Sequence, residues 1–275
     1  MEITAAAVKA FRDKTGLPMM ECKKALQEAN GDESLAIELL RKSGKKTMEG
    51  RTDRETEAGR IAVYTDPKSG VSAMVELLCE SAPVSNTDEF VALVGALARQ
   101  LAEGPGAKTS DDLLDQPFPD KSTTIRYEYD DLVNKIREVF KLSRMVRIEA
   151  PCGTYVHHNN AVGVLVEYEG ANAGVARDVC MHVASMRPKV FSKDNLDQAM
   201  LAKERELVIE EVKQNNVGKP ENIIEKIVEG RMKTFIAESC LLDQAFVKEA
   251  SKTVAQYASD NGVTLKGFTH WVLGR

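Results

Sequence analysis

The chain has 275 residues, 43% hydrophobic and 29% charged, which is enough apolar material to bury a sizeable core. Asp and Glu number 42 against 37 Lys and Arg, a net charge of −5, so nucleic-acid binding driven by bulk positive charge is excluded. No stretch is long and apolar enough to span a membrane, the start MEITAAAVKAFRDK has no signal-peptide pattern, and the five cysteines include no C-x-x-C. The expectation is a cytoplasmic protein with reduced thiols, no membrane, no metal and no cofactor.

Residues 1–46 read as a small three-helix module. Thr4 can cap AAAVKAFRDK, TGLP breaks that helix, MMECKKALQEAN stops at Gly31, and Asp32 caps ESLAIELLRKSG with Gly44 as its stop. Residues 47–59 belong to a charged stretch without apolar periodicity and read as a linker. Arg41, Lys42, Lys45, Lys46, Arg51 and Arg54 make a mildly basic run there, expected to be a solvated tether.

Two later segments share one pattern. GRIAVYTDPKSGVSAMVELLCE followed by DEFVALVGALARQLAE reads strand, turn, strand, helix, and so does GTYVHHNNAVGVLVEYEG followed by ANAGVARDVCMHVASM. This predicts an α+β fold with two similar core subdomains, one over 60–143 and the other over 144–193 with 239–262. KTSDDLLDQPFPDKS reads as loop and RMVRIEA as a further strand. Residues 194–238 hold two charged helical runs with apolar stripes around NNVGKP, predicting an antiparallel helical hairpin. Residues 263–275 close the chain with a strand.

Catalytic patterns are sparse. There is no G-x-S-x-G, H-E-x-x-H, Walker loop or G-x-G-x-x-G after a strand. His157 and His158 are adjacent, so on a strand they point to opposite faces and cannot share a metal. His182 reads as core or rim. Cys152 and His157 are the one nucleophile–base pairing the sequence offers; the plainer reading is a protein that binds a partner.

Three stretches resemble the bacterial translation elongation factor Ts family: RDKTGLPMMECKKALQEANGDESLAIELLRKSG, YVHHNNAVGVLVEYEG and GKPENIIEKIVEGRMKTFIAESCLLDQAFVKE. The resemblance implies a ubiquitin-associated-like fold for the N-terminal module. It also implies guanine-nucleotide exchange on elongation factor Tu, met both GDP-bound and nucleotide-free, by disturbing that partner's Mg²⁺ and phosphate site. No direct nucleic-acid contact is implied. The family's strand-to-helix corner usually reads Thr-Asp-Phe-Val; here it is Ser81-Ala82-Pro83-Val84. The carboxylate is lost at Ala82, and Pro83 replaces the aromatic wedge with a smaller rigid one. Lys23 matches a partner contact in the N-terminal module. Ile136 matches one in the family's Lys-Ile-Gly-Glu-Asn segment, where Arg137 takes the glycine's place. His157 matches the histidine of Tyr-x-His. The altered corner leaves open a second reading, a chain that holds elongation factor Tu but exchanges its nucleotide weakly.

Overall fold

The computed structural model describes residues 3–50, 54–216 and 219–275, with backbone alone for 45–49. The fold is α+β. The chain forms two compact units: one of Met1–Glu149, His158–Ala161 and Val272–Arg275, the other of Ala150–His157 and Val162–Trp271.

The first unit begins with α1 (Ala5–Thr15), α2 (Met19–Glu28) and α3 (Glu33–Glu49). Thr4 caps α1 by accepting the Ala7 N–H, Gly16 ends it at φ +71°, and Asp32 accepts the Leu35 N–H at 3.0 Å. Val8, Phe11, Leu17, Cys22, Leu26 and Leu40 close a small core among the three helices.

The same unit contains an antiparallel sheet in the order β1 (Ala58–Thr65), β2 (Ser72–Cys79), β3 (Lys141–Ile148). The β1–β2 turn works as its DPKSG composition demands. Asp66 accepts the N–H groups of Lys68 and Ser69, and Gly70 takes φ +75°. Ala73, Val75, Leu77 and Cys79 alternate onto one face of β2. There they meet Phe90, Leu93, Val94, Leu97 and Leu101 of α4 (Asp88–Glu103), the period-2 face of a strand against the apolar stripe of a helix.

Between α4 and α6 (Ile125–Ile136) the sequence reads as loop, yet Ser110–Leu114 forms a helical turn, α5. A capping box between Thr109 and Asp112 nucleates it, and Leu113 and Leu114 are buried in the same core as α4. The expected helix stop at Gly44 is also corrected. Helix α3 continues to Glu49, because Gly44 lies against α6: a Cβ there would sit 1.9 Å from Asn134 Oδ1. Glycine here admits a neighbour rather than ending a helix. The span read as a linker is accordingly shorter, with β1 starting at Ala58 and residues 51–53 outside the described residues. Arg41 and Arg54 are not solvated tether. Arg41 stacks over Tyr127, with its guanidinium carbon 3.2 Å from the ring centre, and Arg54 pairs with Glu80 at 2.9 Å.

The second unit repeats the hairpin-and-helix pattern. Strands β4 (Cys152–Val156) and β5 (Val162–Glu169) pair antiparallel, and α7 (Ala173–Met186) packs on them. Gly153 lets β4 approach α7, since a Cβ would stand 2.7 Å from the Ala176 backbone carbon. A hairpin of α8 (Gln198–Asn215) and α9 (Glu221–Ser239) follows, with Val217 and Gly218 of its turn outside the described residues. Its seam is thinner than the sequence stripes suggest. Val208, Val212 and Val228 are buried, whereas Met200, Leu207 and Ile223 are exposed, Leu207 standing one residue off the Val208–Val212 line. Two short strands, β6 (Ala245–Phe246) and β7 (Glu249–Thr253), then α10 (Val254–Asp260) lead into β8 (Thr264–Val272), which lies beside β5.

Candidate functional site

The corner after β2 is built by its own backbone demands. Strand β2 ends at Cys79, Pro83 takes φ −58° and ψ −40°, and Val84–Asn86 make a tight 3₁₀ turn before Thr87 caps α4. Proline fits because its fixed φ matches and its missing N–H costs nothing at a helical start. The Ala82 carbonyl accepts from Ser85 Oγ at 2.8 Å and from Asn86 Nδ2 at 3.0 Å. Ala82 and Pro83 are exposed, while Val84 tucks partly against the α4 core. The tip is thus uncharged, stiff and presented to solvent.

A second segment braces it. Helix α6 ends at Ile136, and Arg137 caps it in the left-handed region, φ +66° and ψ +23°, its N–H donating to the Val133 carbonyl at 2.8 Å. The residues after the cap meet the corner reciprocally. Glu138 accepts from the Ser81 N–H at 3.0 Å and from the Ser81 hydroxyl at 2.5 Å. Glu80 accepts from the Val139 N–H at 2.8 Å. Cys79 beside them is inert: burial first, then the Glu138 charge, pushes its thiol up to about 11.

The left-handed cap revises the reading of Arg137. Glycine suits this position because φ is positive, so the backbone itself, rather than close approach of a partner, requires a permissive residue. Its side chain reaches back to Glu21 of α2, forming an ion pair within the unit. Lys23, on the same helix, is exposed. Of the residues singled out in the sequence, Ser81, Ala82, Pro83, Val84 and Ile136 therefore lie on two braced segments, and Glu21–Arg137 ties α2, which carries Lys23, to one of them.

His157 belongs to the second unit. It stands just past β4, not on the strand as expected, and so does His158. Its N–H donates to the Val162 carbonyl at 2.9 Å, closing the β4–β5 turn, and its Nδ1 lies 2.9 Å from the Tyr155 hydroxyl. The Tyr-x-His spacing thus brings the two side chains together at the end of β4. Cys152 opens β4, five residues before His157. At about 3.3 Å per residue the two are roughly 16 Å apart along the chain, too far for a nucleophile and its base. His182, on α7, is fully buried and meets Gln244. Among the described residues no group of three or more His, Cys, Asp or Glu side chains is placed to hold a metal, and no helix is long and apolar enough to cross a membrane.

Sequence reading missed Glu80 and Glu138. Each lies next to a residue it did single out, but only the fold brings the pair into register across 57 to 59 positions.

Residues 83–275 match the family model described as Elongation factor TS. The curated relatives named Elongation factor Ts include that of Hydrogenobaculum sp. (strain Y04AAS1), 37% identical over 277 residues covering 100% of both chains. That of Thioalkalivibrio sulfidiphilus (strain HL-EbGR7) is 37% identical, covering 100% of this chain and 93% of its own. That of Thiobacillus denitrificans (strain ATCC 25259 / T1) is 38% identical, covering 99% and 92%.

Proposed function

The chain belongs to the elongation factor Ts family, and from that premise we propose that it is a cytoplasmic guanine-nucleotide exchange factor for elongation factor Tu. The work is done by binding alone, with no reaction centre, no cofactor and no metal of its own. The factor grips the nucleotide-free partner more tightly than the GDP-bound one, and by linkage it weakens GDP by the same factor. A difference of about 4 kcal/mol weakens GDP roughly a thousandfold.

The observation that carries this reading is the corner at Ser81–Val84, an exposed uncharged tip held stiff by a 3₁₀ turn and by hydrogen bonds to the residues after α6. A rigid tip can displace a neighbouring group without first being ordered, so little binding energy is lost to entropy. The group displaced is the partner's Mg²⁺ and phosphate site. Mg²⁺ demands near-octahedral geometry, so a small displacement there is costly. With alanine at 82, displacement proceeds by shape and not by charge. Ile136, Lys23 and His157 supply further contacts.

The second reading, a chain that binds elongation factor Tu and exchanges weakly, is favoured by one feature: proline at 83 fills less space than an aromatic wedge. Stopped-flow release of fluorescent GDP from the cognate elongation factor Tu, with and without saturating chain, separates the two. A large acceleration supports the exchange factor; binding without acceleration supports the second reading.

A further inference from the structure

We propose that Glu138 is a positioning residue for nucleotide exchange, acting on the partner only through Ser81 and the corner; this rests on the exchange reading above. The geometry is specific. One carboxylate takes both donors of Ser81, the N–H at 3.0 Å and the hydroxyl at 2.5 Å, through its two separate oxygens. Such charge-assisted, two-point bonds are stronger and more directional than neutral ones. Glu80 answers from the other side by accepting the Val139 N–H at 2.8 Å, and its second oxygen accepts from Arg54 at 2.9 Å. Each segment thus lends the other a carboxylate, a cross-brace on the two residues that precede the exposed Ala82–Pro83 tip.

Removing the brace leaves the corner's own turn intact. Ser85 and Asn86 still bond to the Ala82 carbonyl, and Thr87 still caps α4. The part that changes is the direction in which the tip is held. A tip populated only partly in its working direction binds and folds nearly as before but displaces the partner's site less often, so the loss falls on the saturated rate.

The test measures fluorescent GDP release from the cognate elongation factor Tu across a range of factor concentrations. Wild type, Glu138→Ala, Glu138→Gln, Ser81→Ala and the Ser81→Ala/Glu138→Ala pair are compared, with melting temperature recorded for each. The expected result is a fall of about tenfold in saturated release rate for Glu138→Ala, with little change in half-saturating concentration or melting temperature. Glu138→Gln, which keeps one acceptor oxygen, falls in between. The double variant is no slower than Glu138→Ala, because both changes cut the same link. If wild type accelerates release and Glu138→Ala saturates at the same rate, the positioning role is wrong while the exchange reading stands. A loss in Glu138→Ala that appears only in half-saturation, or only alongside an equal loss of stability, overturns it too. If wild type itself leaves release unaltered, the exchange reading fails and takes this one with it.

Discussion

His182 and Gln244 form a buried pair, with Nε2 of the ring 2.9 Å from Oε1 of Gln244. Gln244 is oriented by its own Nε2, which donates to the Glu238 carbonyl at 2.5 Å, so its oxygen faces the ring and His182 Nε2 carries the hydrogen. His182 Nδ1 accepts the Val247 N–H at 3.2 Å. A second ring proton would point at that donor.

Burial holds His182 below the usual histidine range, only partly offset by Gln244, and burial followed by the Arg187 charge does the same for His270. Below pH about 6.5 the unfolded chain takes up protons at both positions before the folded chain does. Stability is therefore full above that value and falls as pH drops through it. Melting temperatures recorded from pH 7.5 to 5.5 should decline. Imidazole NMR shifts should show His182 still neutral at a pH where an exposed histidine is charged.

Glu76 is 1% exposed and is clasped by Arg144 through two bonds, Nε to one carboxylate oxygen at 2.8 Å and Nη2 to the other. Arg144→Met leaves a buried carboxylate without its cation and should cost about 3 kcal/mol or more, read as a lower denaturant midpoint. Glu76→Leu combined with Arg144→Met should recover much of that loss.

Gly153→Ala places a methyl 2.7 Å from both the backbone carbon and the Cβ of Ala176. Strand β4 and helix α7 must separate to admit it. A loss of about 1–3 kcal/mol is expected by thermal melting.

Arg137→Gly relieves the left-handed backbone, worth about 1 kcal/mol, and gives up a partly exposed ion pair with Glu21 worth about 0–1 kcal/mol. Global stability should stay within about 1 kcal/mol of wild type. The tie between α2 and the α6 cap is lost, so limited proteolysis near residue 50 should quicken.

Pro83→Gly is expected to reduce stimulated GDP release more than it reduces folding stability, because the tip is exposed and makes little of the core. Release kinetics beside a denaturant melt decide it. Equal stimulation by variant and wild type would remove the corner from the mechanism.

The alternating and helical patterns were legible because one apolar face per element suffices to write them: β2 against α4, and β5 against α7. The turns at DPKSG and HNN were legible because Asp and Asn side chains bond the nearby backbone and Gly70 takes a positive φ. Gly44 misled because a glycine that ends a helix and one that admits a neighbour look alike until Asn134 is placed. Helix α5 was hidden by the prolines and acids around it, its signal being a capping box only four residues long. The candidate site was legible at its tip, where proline and alanine stand out between a strand and a helix. Its braces were not, since Glu80 and Glu138 look like ordinary surface acids until the sheet sets their register.

Glu76 also accepts the N–H of Gly274, 198 residues further on, and the first unit takes in Val272–Arg275. During synthesis at roughly 5–20 residues per second, that donor is made about 10–40 s after β2. A nascent chain therefore holds that carboxylate, at the centre of its first sheet, by the Arg144 clasp without the Gly274 donor while the whole second unit is being translated. Residues translated after the second unit thus complete the first sheet, so the older unit is finished by a younger part of the chain.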